Sequence, residues 1–252
     1  MRIAVAGGTG QVGRQTVEVL RRAGHEPVVI ARSTGVNLTT GERLQDVLQG
    51  VDAVIDATNF QTQDHDEARA LFGNATARLL AAEREAGVRH HVVLSIACLD
   101  RVHGNAHYAG KREQERLALA GPIPVTIVRA TQFFELPVMY VGWTRRGDVA
   151  AVPPLLLQPV AVSDVADVLV EVAAGKPGQG TFELAGPETH DLVDMARRTL
   201  TARGESVRLV PTWRGMFGIE AAGEAFLPGP GARIGPTMFE DWLATQRPTA
   251  GA

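Results

Sequence analysis

An apolar strand, Ile3 to Ala6, runs directly into Gly7-x-x-Gly10-x-x-Gly13, and a helical stripe of Val12, Val17 and Leu20 opens behind it. A strand, a glycine turn and a helix in this order make a seat for the pyrophosphate of a dinucleotide. The spacing assigns the tight turn to Gly7, close backbone approach to the phosphates to Gly10, and helix–strand packing to Gly13. The first N–H groups of the helix have no partner within it and point at the anion.

The second strand, Pro27 to Ala31, ends on Arg32-Ser33-Thr34. An acidic residue here would bind a ribose diol and repel a 2′-phosphate. A guanidinium does the reverse, because it is a permanently charged planar fork. No Asp or Glu occurs between Pro27 and Thr40, so NADP(H) is expected over NAD(H), with the Ser33 and Thr34 hydroxyls as further donors.

Strand and helix patterns then alternate. Leu44, Val47 and Leu48 mark a helix, Asp52 to Asp56 a buried strand, and Ala68, Leu71, Phe72, Ala75 and Leu79 a longer helix. His91 to Ser95 is another strand, Tyr108 to Ala120 a helix, and Val125 to Val128 a strand. This alternation predicts an α/β fold, a doubly wound parallel sheet with ligands beyond the carboxyl ends of its strands. The NAD(P)-binding core is expected over 1–134. Residues 135–252 are expected to complete the sheet and form a small substrate-binding region, with 135–162 irregular. Ser163 or Asp164 is expected to cap a helix. A strand over Thr181–Leu184, a helix near Asp191–Arg203, a strand at Val207–Val210 and a last helix around Thr237–Ala244 follow.

The bulk numbers narrow the partners. With 252 residues and a net charge of −3, and with Lys and Arg scattered, no basic surface calls for nucleic acid. Proline and glutamine break the longest apolar run, Val149 to Val162, so no membrane span is expected. The single Cys98 rules out an internal disulfide, and no histidine has metal-ligand spacing, so no metal is expected. His90 and His91 read as solvent or packing residues, and Asp64, Asp66 and Glu67 suit the amino end of a helix. A cytoplasmic protein with a small-molecule substrate is expected; the sequence does not choose between monomer and homodimer.

In this order the segments resemble the atypical short-chain dehydrogenase/reductase proteins, in particular their NmrA-like, NAD(P)-binding branch. The resemblance rests on Val5-Ala-Gly-Gly-Thr-Gly-Gln-Val-Gly13, Gly50-Val-Asp-Ala-Val-Ile55, Val93-Leu-Ser-Ile96, Tyr108-x-x-Lys111 with Glu115, and Ile127-Val-Arg-Ala-Thr-Gln-Phe-Phe-Glu135. Pro159 to Ala166, Glu183 to Pro187 and Thr237-x-Phe-x-x-Trp-Leu243 continue it. It implies a seven-stranded Rossmann sheet, with Gly7, Thr9, Gly10, Gln11 and Val12 on the pyrophosphate and Arg32 on the 2′-phosphate. Asn37 and Leu38 would flank adenine. Ala57, Thr58 and Asn59, Ser95 and Ile96, and Ala130, Thr131, Gln132 and Phe133 would line the nicotinamide half.

One departure bears on the chemistry. Reductases of the wider superfamily carry Tyr-x-x-x-Lys, the phenol giving a proton as hydride arrives and the lysine lowering its pKa and holding the ribose. Here His107 stands four residues before Lys111, Tyr108 lies one residue closer, and Ala97 replaces a carbonyl-polarising serine. Three readings stay open: His107 donates the proton; Tyr108 does so if the helix begins late; or the site only binds nucleotide. Lys111 is expected on the ribose in each. The expected function is an NADPH-dependent reductase of a small or medium organic carbonyl or quinone-like substrate. The alternative is a non-catalytic NADP(H)-binding redox sensor or regulator. Phe60, Phe133, Phe134 and Trp143 are expected to wall the substrate pocket, with residues 135–160 and 212–235 closing over it.

Overall fold

A computed structural model describes residues 1–215 and 217–247; Met216 and residues 248–252, both within the expected second region, lie outside the described residues. The elements run β1 (Arg2–Ala6), α1 (Gln11–Arg22), β2 (Glu26–Ile30), α2 (Leu44–Val47), β3 (Ala53–Asp56), α3 (His65–Ala86), β4 (His90–Ile96), α4 (Ala106–Ala120) and β5 (Val125–Ala130). They continue with α5 (Leu136–Thr144), β6 (Val149–Val152), β7 (Leu156–Leu157), α6 (Val162–Ala174), β8 (Gly180–Ala185), β9 (His190–Asp191), α7 (Leu192–Ala202), β10 (Arg208–Pro211), β11 (Arg233–Ile234) and α8 (Phe239–Ala244).

Seven strands form the central parallel sheet in the order β11-β8-β5-β4-β3-β1-β2, as the alternating sequence predicts. β1 lies between β2 and β3, with Val5 opposite Val29 on one side and Ile55 on the other. The chain leaves β1 toward one neighbour and later returns on its opposite flank. The strand order therefore reverses at β1, which is where an open α/β sheet leaves a crevice. β1 and β3 are largely apolar, and with β4 they are almost wholly buried, because helices cover both faces of such a sheet.

The chain divides into two compact units, the first of Met1–Arg129 and Val162–Phe182, the second of Ala130–Ala161 and Glu183–Ala252. In the first, Val12, Thr16, Val17 and Leu20 form the buried stripe of α1. Ile30, Leu44, Leu48, Val54, Leu79 and Val88 join one apolar cluster. Asp64 caps α3, its carboxylate accepting from the Glu67 amide at 2.8 Å, and Gly87 in the left-handed region ends it. In the second unit, Phe134, Ala161, Met195 and Phe239 form a core flanked by Trp242 and Leu243.

Several elements depart from the sequence expectation. Residues 135–162 hold α5, β6 and β7 rather than irregular chain, and Pro137 fits because it occupies the first turn of α5. α6 begins at Val162, so Ser163 and Asp164 lie inside it and neither is its cap. Of the two expectations for His90 and His91, packing holds, since both are buried. His91 Nδ1 lies 2.9 Å from the Glu83 carboxylate. Burial opposes protonation of that ring, but the charge and hydrogen bond of Glu83 outweigh it and raise the His91 pKa. Among the described residues no helix is long and apolar enough to cross a membrane.

Candidate dinucleotide site

The glycine turn has the geometry its spacing requires. Gly7 adopts φ +74°, and a Cβ there would stand 2.7 Å from the Ala57 carbonyl oxygen. A Cβ on Gly13 would stand 2.1 Å from the Gly7 oxygen. The loop after β1 thus lies against the loop after β3 with no room for side chains. Gly10 is the N-cap residue of α1, and no side chain caps the helix. Among the described residues no side chain caps the first-turn amides, those of Gln11 and Val12 among them, and Thr9 and Gly10 beside them are exposed. The Val12 side chain is itself buried, which leaves its main-chain N–H as the group it presents. An uncapped helix start behind a turn too tight for Cβ atoms fits a pyrophosphate.

Arg32 opens a 3-10 turn over Arg32–Thr34 after β2 and is exposed. Among the described residues no hydrogen bond or ion pair engages its guanidinium. Thr34 is not the free donor expected: its hydroxyl accepts from the Ala31 amide at 3.2 Å. It also lies 2.8 Å from the Ala31 oxygen and 3.0 Å from that of Val29, to one of which it donates. Thr34 shapes the turn, leaving Arg32 and exposed Ser33 to meet a ligand. Sequence reasoning passed over Arg14, an exposed cation immediately after the third glycine, whose position was its signal. Leu38 belongs to the apolar cluster, and the Asn37 side chain accepts from the Thr39 amide at 2.9 Å.

After β3, Asp56 and Thr58 are buried, Ala57 and Phe60 half-buried, and Asn59 exposed. At the carboxyl end of β4, the Ser95 hydroxyl is buried without a hydrogen-bond partner among the described residues, next to half-buried Ile96. Such an atom costs free energy unless a ligand or water meets it. Ala97, where a polarising serine was sought, is fully buried, and buried Cys98 follows at φ +60°.

α4 begins at Ala106, with the Asn105 side chain accepting from the Tyr108 amide at 3.3 Å. The helix therefore does not begin late, which was the condition on which Tyr108 was expected to serve. Tyr108 lies within the first regular turn and is buried. The His107 ring packs edge-on to Phe72, 5.6 Å between centroids. Burial pushes its pKa down to about 4, helped by the Lys111 charge and opposed by a hydrogen bond to the Phe60 main chain. At pH 7 roughly one ring in a thousand carries a second proton.

Lys111 is buried, and its three N–H bonds have protein acceptors. Nζ donates to the Thr58 oxygen at 3.1 Å, the Leu94 oxygen at 2.8 Å and Gln114 Oε1 at 2.8 Å. It also lies 5.2 Å from the centroid of the Phe72 ring. Burial lowers its pKa to about 8, against the pull of Asp56 and Glu115. Gln114, which sequence reasoning missed, donates to Asp56 Oδ2 at 2.8 Å and Thr58 Oγ1 at 3.3 Å. Its only sequence signal was a second polar residue one turn beyond Lys111.

In the second unit, Thr131 donates its hydroxyl to the Gln158 oxygen at 2.6 Å, and the Gln132 main-chain oxygen accepts from the Val160 amide at 2.8 Å. Both polar atoms of the Gln132 carboxamide are buried without partners among the described residues. Ala130 is buried and Phe133 half-buried. Phe134 is core, tilted against Phe239 at 5.4 Å, while Trp143 is 47% exposed. Those two serve packing and surface in this structure.

Comparison with known proteins bears on the family and the fold. A segment is 33% identical over 110 residues to the photosystem II assembly factor Ycf39 of Synechocystis, covering 38% of this chain and 34% of that protein. The chain thus spans about a third of the length of the curated relative it matches. A short-chain dehydrogenase/reductase superfamily protein from Agrobacterium tumefaciens, solved with bound NAD, shares the fold. Its TM-score is 0.71 at 20% identity, over 98% of this chain and 97% of that one. A dTDP-4-dehydrorhamnose reductase from Bacillus anthracis in complex with NADP gives 0.72 at 17% identity, over 96% and 97%. At these identities the two solved structures show a shared fold. Residues 7–176 match the family described as NAD(P)H-binding, covering the glycine turn, Arg32 and α4, and the chain belongs to that family.

Proposed function

We propose that the protein is an NADPH-dependent oxidoreductase reducing a small or medium quinone-like substrate. The observation that carries the cofactor choice is Arg32 just after β2, exposed and without a partner among the described residues, in a stretch without a carboxylate. The dinucleotide, when bound, supplies a hydride. The chain's own residues hold and orient it: amides of Gln11 and Val12 on the diphosphate, Arg32 with Ser33 on the 2′-phosphate, Asn37 at the adenine end. Thr9, Ala57, Thr58, Asn59, Ser95 and Ile96 complete the cofactor contacts of this unit.

The substrate class follows from the proton chemistry. An unactivated ketone needs an acid at its oxygen as hydride arrives. The candidate acids are withdrawn here: His107 is neutral, Tyr108 is buried in a regular turn, and Lys111 is committed to three acceptors. A quinone takes up hydride to give a stabilised hydroquinone anion, which one solvent proton then neutralises. His107 remains in this reading as a neutral polar contact. The test is NADPH oxidation over matched quinones, aldehydes and ketones, with His107→Gln and Tyr108→Phe. Quinone turnover surviving both substitutions supports the proposal, whereas ketone turnover abolished by either contradicts it.

The same commitment of Lys111 favours a second reading, a non-catalytic NADP(H)-binding sensor or regulator. Tight NADPH binding with no oxidation of any acceptor would select it.

A further inference from the structure

The polar edge of α4 binds the two loops that follow β3 and β4. Gln114 and Lys111 reach the first through Asp56 and both the hydroxyl and carbonyl of Thr58. Asp56 in turn accepts from the Thr58 amide at 3.0 Å. Phe60 packs edge-on to Phe72 at 5.0 Å, under the same ring that faces the Lys111 ammonium. Arg112 donates to the Leu99 and Val102 oxygens at 2.7 and 3.0 Å. Glu115 takes both Arg129 Nε and Nη2, and Arg129 reaches Asp100 with Nη1. Around buried Lys111 and Gln114 such bonds are strong, and a partner removed there leaves others unsatisfied.

We propose that Lys111 is a positioning residue: it clasps the loop after β3 to β4 and α4 and sets the cofactor-facing backbone of residues 57–60, without itself binding the cofactor ribose. An ammonium has three donors. All three are spent on Thr58, Leu94 and Gln114, so a ribose contact would require one of these bonds to break. That the loop meets the cofactor rests on the functional reading above; the clasp itself is a property of the empty protein.

Hydrogen exchange in the cofactor-free protein separates the two. Lys111→Met should speed exchange of the amides of residues 58–60 about tenfold while leaving α1 unchanged. Gln114→Leu, which keeps the lysine, should do the same and serves if the first variant fails to fold. In NADPH titrations the two substitutions should be non-additive, the double variant binding no worse than Lys111→Met. The lysine faces Asp56 of β3 and His107 and Glu115 of its own helix, with Glu83 and His91 beyond Asp56. Wild-type NADPH affinity should weaken as pH rises through about 8, and this limb should vanish in Lys111→Met. Unchanged loop exchange with NADPH affinity lost, additive losses, or the same pH limb in both proteins would overturn the clasp. Failure of the wild type to bind NADPH would sink the functional reading alone, since exchange still decides the clasp.

Discussion

Gly13 approaches Gly7 so closely that a Cβ on the first would lie 2.1 Å from the carbonyl oxygen of the second. The first turn of α1 is thereby pressed into the turn after β1, which orients its free amides. Gly13→Ala must push the helix away from that turn. Overpacking of this kind costs about 1–3 kcal/mol. The expected outcome is a folded but less stable protein whose NADPH affinity falls far more than its melting temperature alone would suggest. Calorimetric titration beside thermal unfolding checks both; unchanged affinity would show that the helix start is not the phosphate seat.

His107 gives the fold a dependence on acid. Its folded pKa lies near 4 against an ordinary value of 6.5, so the folded state favours the neutral ring. That contribution is fully present above pH 6.5 and is lost as pH falls toward 4. Allowing for its partial exposure, the loss is ~2 kcal/mol. Urea unfolding at pH 7 and pH 4 should therefore show a smaller drop for His107→Gln than for the wild type. Equal drops would mean that the ring is solvated.

Gln132 has a carboxamide with both polar atoms buried and unpartnered among the described residues. If its purpose is to meet a ligand, removing it should help the empty protein and harm the loaded one. Gln132→Leu is expected to raise stability by roughly 1–3 kcal/mol and to raise KM for the reducible substrate. A variant that is less stable with unaltered KM would assign the residue to packing.

How much of this was readable in advance depended on the kind of interaction. The sheet was legible because strands buried on both faces write continuous apolar runs, as in Ile3–Ala6 and Ala53–Ile55. The glycine turn was legible because only steric exclusion fixes Gly7 and Gly13, and exclusion selects a residue type. β7, β9 and β11, of two residues each, have no periodicity to detect. α5 lay within the stretch expected to be irregular, and its Pro137 stands in the first turn, where a helix accepts it. The commitment of Lys111 was invisible, since two of its three acceptors are main-chain carbonyls and any residue supplies those. For Thr34, sequence showed a hydroxyl near Arg32 but not that the local turn consumes it.

The central claim is a dinucleotide diphosphate on the α1 amides, with Arg32 reading the extra phosphate. Paired titrations of NADPH and NADH against the wild type and Arg32→Ala test it most directly. The wild type should prefer NADPH, and the substitution should weaken NADPH about tenfold or more, as for a lost charge-assisted contact, while leaving NADH nearly unchanged. Equal weakening of both, or a wild type that binds neither, would contradict it.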